Sequence, residues 1–219
     1  GLILYRKEVN ARRIVLRYAT ICSNAGFMGN PVVVGIYGSQ GLLYASVYLI
    51  PLRIFMWSAG LSCFTVASPK DIVKKLVHHP CIIAVVIGMA LMPFPDVVPS
   101  FLLQTMQSCS KCVLPVSMIV IGSILSEADI RKMLKGSTLF YCVVRLLGIP
   151  AVTMVVCRLL GMGALVTGVC TILAGMPAGS TTAILAEKYD GDAKYASECV
   201  FLSTVLSLFT MPLLYMILA

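Results

Sequence analysis

The sequence predicts an all-α protein that crosses a membrane about seven times. Its 219 residues are 59% hydrophobic and only 12% charged, and the mean hydropathy is +0.95. A soluble domain normally has about 25% charged residues, so this apolar excess is more than one core can bury. Apolar runs of membrane-spanning length recur along the whole chain. A very apolar soluble domain is the alternative, and it leaves these recurring runs unexplained.

Seven apolar segments are predicted as membrane spans. Each covers roughly 20 residues or more, which is enough to cross a bilayer with some tilt. Proline-bearing turns or charged loops separate most of them, such as SPKD (68–71) and EADIRKMLKG (127–136). The predicted spans are residues 15–37, 41–67, 79–95, 101–126, 137–159, 163–187 and 193–218.

Basic residues predict the orientation of the spans. Segment 6–17 holds five Lys and Arg residues, whereas the loops at 37–41 and 95–99 hold none. Cytoplasmic loops of membrane proteins are enriched in Lys and Arg. We therefore expect 6–17, 68–79 and 127–136 to be cytoplasmic and the C-terminus to lie outside. The net charge of +8 is then a topology signal, and nucleic acid is not an expected partner.

The nine cysteines lie mostly within apolar runs, where a cysteine acts as a small hydrophobic side chain. CSKC (109–112) has the spacing of half a zinc site, but no second Cys pair or His pair accompanies it at a suitable distance. We interpret it as structural and predict no metal site and no cofactor.

An internal repeat is visible in NPVVVGIYGSQGLLYASVYLIPL (30–52) and MPAGSTTAILAEKYDGDAKYASECVFL (176–202). Each copy has a proline in an apolar span, then a loop, then Tyr-Ala-Ser at the start of another long span. The predicted span 163–187 comes five steps after its counterpart 15–37 in chain order, and an odd number of steps reverses the direction of crossing. The chain is therefore predicted to contain inverted repeats of five spans. Interrupted helices at matching places in such repeats indicate the binding site of a transporter.

The second repeat is predicted to be complete, and the first to lack its early spans. The predicted division is 1–67 for the end of the first repeat, including the end of its third helix, 68–78 for a cytoplasmic loop, and 79–219 for the second repeat. GLILY (1–5) resembles the end of an apolar helix, so we expect sequence upstream of it.

Three stretches resemble the auxin efflux carrier family, which includes plant PIN carriers and bacterial malate-type permeases. SNAGFMGNPVV (23–33) is similar to the broken fourth helix of that family, and CVLPVSMIVIGSIL (112–125) to its seventh. The stretch from Met176 to Leu214 is similar to the ninth and tenth helices. The resemblance implies ten helices in two inverted repeats, with the broken fourth and ninth helices crossing near their prolines at the substrate site.

The resemblance also implies a function. It is secondary transport of small organic anions, such as carboxylates, across the plasma or inner membrane by alternating access, with a homodimer formed through a scaffold domain. The coupling ion, H⁺ or Na⁺, stays open. A non-transporting membrane subunit that packs with other spans is the alternative. An intramembrane aspartyl protease is not supported, because both aspartates of YDGD (189–192) lie in a polar loop.

The interrupted segments predict the chemistry of the site. Proline and glycine free backbone groups, and in a bilayer these are tolerated only inside protein or against a water-filled cavity. The N-terminus of a half-helix suits a carboxylate, and neutral amides and hydroxyls add further hydrogen bonds. Back-bonding of the hydroxyls to their own helix is the alternative. The predicted substrate-binding residues are Asn24, Asn30, Pro31, Pro177, Ser180, Thr181 and Thr182.

Several charged residues lie within the predicted spans. Arg53 lies near the middle of its span, where a lipid-facing charge is costly, so it should face protein or water. Lys111 is a second candidate for a charge along the pathway, with an interfacial anchor as the alternative. Arg145 and Glu198 lie closer to span ends and are expected to extend toward the interface.

Overall fold

The structure, a computed structural model, is helical throughout the main described segments, which confirms the predicted all-α class. The described residues are 5, 8–60, 63–64, 77–78, 80–91, 93–94, 98–126 and 136–218. The predicted loops at 68–78 and 127–136 lie almost wholly outside these ranges.

The predicted spans all overlap described α-helices. These helices are α1 (Asn10–Ile21), α2 (Asn30–Phe55), α3 (Pro80–Leu91), α4 (Ser100–Ser126), α5 (Gly136–Val143), α6 (Ile149–Leu159), α7 (Ala164–Ala174), α8 (Thr181–Lys188) and α9 (Ala193–Leu218). Short π-helical turns at Ala25–Gly29, Met56–Gly60 and Val144–Gly148 join or extend them. Such turns inside helices are frequent at functional sites.

The first predicted span is interrupted between α1 and α2. The backbone is extended at Cys22 (φ −90°, ψ 99°), and helical geometry resumes in the π-turn that begins at Ala25. Pro31 lies in the first turn of α2. Pro31 is the seventh residue of the continuous helical stretch Ala25–Phe55, so the chain stays helical through it, although its missing N–H leaves one carbonyl of the preceding π-turn without its usual donor. The interruption therefore lies at residues 22–24, which corrects the expectation that the chain unwinds near Pro31.

α2 is kinked at Gly38. The φ of Gly38 is +64°, a value that residues with a side chain rarely adopt. A β-carbon placed on Gly41 would lie 2.9 Å from Cγ1 of Val33. Residues eight positions apart in a straight helix are separated by about 12 Å, so α2 bends sharply between Val33 and Gly41. The kink falls within the predicted boundary at 37–41.

The span predicted at 163–187 is interrupted between α7 and α8. α7 ends at Ala174, and residues 175–180 are not helical before α8 begins at Thr181. Pro177 lies inside this segment, where it prevents the helix from continuing. The segment is completely buried, so its backbone groups need partners within the protein.

Two buried apolar clusters pack the helices together, and each combines residues from both predicted repeats. In one, Leu16 of α1 packs with Tyr141 of α5 and residues of α9. In the other, Leu49 of α2 packs with Leu173 of α7. Within a bilayer such clusters stabilise mainly through van der Waals contact, since lipid tails are as apolar as leucine. The predicted sequence boundaries between the repeats stay a prediction.

The outer surface of the helices suits a lipid environment. By length and composition, three helical stretches of the described residues can cross a membrane: Ala25–Phe55, Gly136–Leu159 and Ala193–Leu218. Large apolar side chains are exposed on them, with Phe209 at 74% and Met216 at 75%. Contiguous apolar surface of this kind indicates membrane contact. The count of seven spans stays a prediction.

Candidate functional site

Two interrupted segments, residues 22–24 after α1 and residues 177–179 after α7, lie against each other. Ser23 and Ala178 form an isolated antiparallel β-bridge there. We refer to this contact as the crossing. Because the bridge is antiparallel, the two segments pass through the same region in opposite directions.

Backbone hydrogen bonds hold the crossing together. The N–H of Asn24 donates to the carbonyl of Pro177 at 2.8 Å, and the N–H of Gly179 donates to the carbonyl of Cys22 at 3.0 Å. The backbones approach closely, since a β-carbon placed on Gly179 would lie 3.3 Å from the carbonyl oxygen of Cys22. Each segment thus supplies the partners that the other loses by leaving its helix.

A cavity of about 150 Å³ lies beside the crossing. Its polar groups come from the crossing and from the end of α2, and its apolar groups come mainly from α2 and the adjoining π-turns. The lining residues are Ser23, Asn24, Gly26, Phe27, Leu49, Leu52, Arg53, Met56, Gly179, Ser180 and Thr181. The structure therefore brings four predicted residues into one cavity: Asn24, Ser180, Thr181 and Arg53.

Asn24 is the polar side chain of the cavity with the clearest unmet hydrogen-bonding capacity. It is 2% exposed, and neither its Oδ1 nor its Nδ2 has a hydrogen-bond partner among the described residues. Leaving a buried amide unpaired costs about 1–3 kcal/mol. Its own backbone is fully used, because its carbonyl accepts from Met28 and Gly29. The side-chain amide is thus a donor and an acceptor that can serve a ligand.

Two helix N-termini begin at the cavity. The π-turn leading into α2 starts at Ala25, directly after Asn24, and α8 starts at Thr181, directly after Ser180. The first N–H groups of a helix lack intrahelical acceptors and carry partial positive charge, so they attract anions. The hydroxyl of Tyr18 donates to Oγ1 of Thr181 at 3.4 Å and fixes the position of that side chain.

Arg53 is the charged residue of the cavity lining. It is half-buried in the last turn of α2, and a β-carbon placed on Gly26 would lie 3.3 Å from its Nη2. No carboxylate of the described residues lies within ion-pair distance of Arg53. The cavity therefore combines a cation, two helix N-termini and neutral polar groups, all of which favour an anion.

The remaining predicted residues lie outside the lining. Asn30 is half-buried, with an Oδ1 that has no partner among the described residues, and Pro31 is exposed. Thr182 is completely buried, and Pro177 contributes its carbonyl to the crossing. Lys111 is exposed on α4. Their assignment to the substrate or the pathway stays a prediction.

Two expectations about charged residues are wrong. Arg145 and Glu198 were expected to reach the interface, but each is only 2% exposed. Arg145 donates through Nε to the carbonyl of Met176 at 3.0 Å and through Nη1 to that of Thr20 at 2.9 Å. The apolar lining residues were also not predicted, because nothing distinguishes Leu49 from the other leucines of an apolar span.

A polar network joins α1, α5 and α9 at one end of the bundle. Nε of Arg12 pairs with Oδ2 of Asp192 at 3.3 Å, and its guanidinium lies 5.1 Å from the ring centroid of Tyr195. Oδ1 of Asp192 accepts from the N–H of Tyr195 at 2.9 Å, and the hydroxyls of Tyr195 and Ser137 are 3.2 Å apart. The starts of the three helices therefore lie together, as the predicted cytoplasmic loops before α1 and α5 require. Asp192 of the YDGD stretch has a structural role here.

The crossed helices, the cavity beside the crossing and the apolar outer surface are typical of a multi-pass membrane protein with a candidate binding site between its helices. The chain matches the membrane transport protein family over residues 1–215 and belongs to it. This confirms the predicted resemblance to the auxin efflux carriers. Family membership supports a role in membrane transport rather than an enzyme.

Archaeal relatives agree with this assignment. The chain is 30% identical over 202 residues to an uncharacterized transporter from Methanothermobacter thermautotrophicus, a match covering 90% of this chain and 66% of the relative. It is 24% identical over 203 residues to an uncharacterized transporter from Methanocaldococcus jannaschii, covering 89% of this chain and 65% of the relative. The chain thus spans about two thirds of the length of these curated relatives.

Proposed function

We propose that the protein is a secondary transporter that binds a small organic anion in the cavity beside the crossing. The unpaired side-chain amide of Asn24 carries this proposal, because it is buried at the cavity next to a cation and two helix N-termini. A carboxylate can accept hydrogen bonds from the amide, from the hydroxyls of Ser180 and Thr181, and from Arg53.

The cavity also limits the size and character of the ligand. A cavity of about 150 Å³ is comparable to one that admits a benzene ring in another protein. Phe27, Leu49, Leu52 and Met56 provide apolar contact opposite the polar groups. A carboxylate with a compact apolar body fits both sides. A compact dicarboxylate is the second fit, and its additional charge would have to face water.

We propose further that the crossing lies at the centre of two inverted five-helix repeats. Each interrupted segment follows a helix of similar length, 12 residues for α1 and 11 for α7, and precedes a second helical stretch. The antiparallel bridge gives the two copies opposite directions. This arrangement is typical of transporters that expose a central site alternately to the two sides of the membrane. Coupling to H⁺ or Na⁺ and dimer formation through a scaffold domain are parts of the proposal that the cavity does not address.

Binding and flux of the full-length protein test the proposal. Thermal melting in detergent would be measured with acetate, benzoate, malate, succinate and citrate, followed by uptake of the stabilising compound into proteoliposomes. We expect at least one carboxylate to raise the Tm and to be taken up. Stabilisation without uptake would favour the non-transporting membrane subunit, and no stabilisation by any of the five would contradict an anion site.

A further inference from the structure

Arg145 lies in the π-turn between α5 and α6, and its guanidinium reaches both interrupted segments. Nε donates to the carbonyl of Met176 at 3.0 Å, and Nη1 donates to the carbonyl of Thr20 at 2.9 Å. Thr20 is in the last turn of α1, and Met176 follows the end of α7. One side chain therefore joins the two chain segments just before they meet at the crossing.

The helix ends supply the counter-charge for Arg145. The last carbonyls of a helix have no intrahelical donor and carry partial negative charge. The side chain is 2% exposed, and among the described residues no carboxylate forms an ion pair with it. A buried cation requires hydrogen bonds in compensation, and the carbonyls of Thr20 and Met176 provide them.

Tyr141 offers a matched comparison one turn earlier. Its hydroxyl donates to the carbonyl of Ala19 at 3.1 Å, and it is completely buried, as Arg145 almost is. Both side chains thus satisfy a carbonyl in the last turn of α1, but only Arg145 also reaches the segment after α7. The rigid guanidinium fork can donate to two separated acceptors, whereas a lysine has its three donors on a single nitrogen.

We propose that Arg145 is a positioning residue for the cavity beside the crossing. Asn24 and Ser180 each lie four residues after a carbonyl that Arg145 holds, Thr20 and Met176 respectively. By joining these carbonyls, the guanidinium sets the distance between the two polar sides of the cavity. Its effect on a ligand rests on the proposed function, whereas its effect on the crossing exists without any ligand.

Hydrogen exchange in the full-length protein tests the ligand-free part. The backbone amides of Asn24 and Gly179 form the crossing, so their exchange reports its opening. We expect Arg145→Met to speed exchange at both amides by about tenfold to hundredfold, because hydrogen bonds to a charged group are lost. Tyr141→Phe should leave exchange at Gly179 unchanged. If Arg145→Met and Tyr141→Phe speed hydrogen exchange at Asn24 and Gly179 equally, the positioning role of Arg145 is overturned.

Binding of benzoate tests the part that concerns the ligand. Arg145→Met should weaken its binding by at least about tenfold, Arg145→Lys should weaken it less, and Tyr141→Phe should bind like the parent protein. Parental affinity in Arg145→Met would overturn the proposal. If Arg145→Met does not fold, Arg145→Lys provides the test. A lysine cannot donate to both separated carbonyls in the way that the guanidinium does. Exchange at the parental rate at both amides of Arg145→Lys would therefore overturn the proposal. If benzoate does not bind the parent protein, the anion site fails on its own, and exchange still decides the role of Arg145.

Discussion

Replacing Asn24 with leucine should change stability and ligand binding in opposite directions. Leucine has the same branched arrangement of heavy atoms but no polar ones, so Asn24→Leu removes a buried amide whose two polar atoms have no partner among the described residues. Relief of that cost is worth about 1–3 kcal/mol in the ligand-free protein. The same substitution removes a hydrogen bond to a charged ligand, which contributes about 1.5–3 kcal/mol.

The expected result is a Tm at or above the parent value, together with a dissociation constant for benzoate that is about tenfold to hundredfold higher, since 1.4 kcal/mol corresponds to a factor of ten. Thermal melting and equilibrium binding of the purified full-length protein measure the two quantities.

Asn30→Leu is the matched control. The Oδ1 of Asn30 is also buried without a partner among the described residues, but Asn30 does not line the cavity. Its replacement should leave benzoate affinity at the parent value. A lower Tm in Asn24→Leu with unchanged affinity would show that the amide of Asn24 supports the fold and would refute the anion site as described. Loss of affinity in Asn30→Leu would place the ligand on the predicted residues beyond the cavity.

Substitutions at three further positions test separate features of the structure. Arg53→Gln should weaken benzoate binding at least tenfold and Arg53→Lys much less, because a unit charge about 5 Å from a carboxylate contributes about 3 kcal/mol at an effective dielectric constant of 20; equal affinities in equilibrium binding would remove Arg53 from the site. Pro31→Ala should leave the Tm at or above the parent value and proteoliposome uptake close to it, since Pro31 is exposed and alanine restores an N–H to a continuous helical stretch; an inactive variant would mean that this proline itself shapes the site. Gly38→Ala should lower the Tm through a strain of about 1–3 kcal/mol at φ +64° and ψ −153°, and an unchanged Tm in thermal melting would show that the kink relaxes.

The helical class, the order of the helices and four residues of the cavity could be predicted from the sequence. Asn24, Ser180 and Thr181 were identifiable because amides and hydroxyls beside interrupted helices are unusual in apolar spans. Arg53 was identifiable because an arginine near the middle of a span requires protein or water around it. Each of these features can be recognised within a single segment of the sequence, without knowledge of tertiary contacts.

The exact place of the first interruption was not predictable from proline alone. A proline ends one helix or begins the next, and the residue type is the same in both cases. Pro31 lies within a continuous helical stretch, whereas Pro177 lies in a non-helical segment. The π-turn at Ala25–Gly29, which separates the interruption from Pro31, leaves no sequence pattern that we recognise.

The position of Arg145 was misjudged for a different reason. Its distance from the end of a span along the sequence suggested an interfacial side chain. Its partners are the carbonyls of Thr20 and Met176, which are far away in sequence and are unpaired only because two other helices end there. Burial of this kind depends on tertiary contacts that one segment does not reveal.

The two segments of the crossing are held together by backbone atoms, so their contact does not depend on the identity of most side chains there. The bonds between Asn24 and Pro177 and between Gly179 and Cys22 use only N–H and C=O groups. Related proteins could therefore exchange the side chains at positions 23, 24 and 178 and acquire a different ligand preference while keeping the same joint. Position 179 is the exception, because a side chain there would meet the opposite backbone. Ligand preference can thus vary between related proteins while the backbone contact a few residues away stays the same.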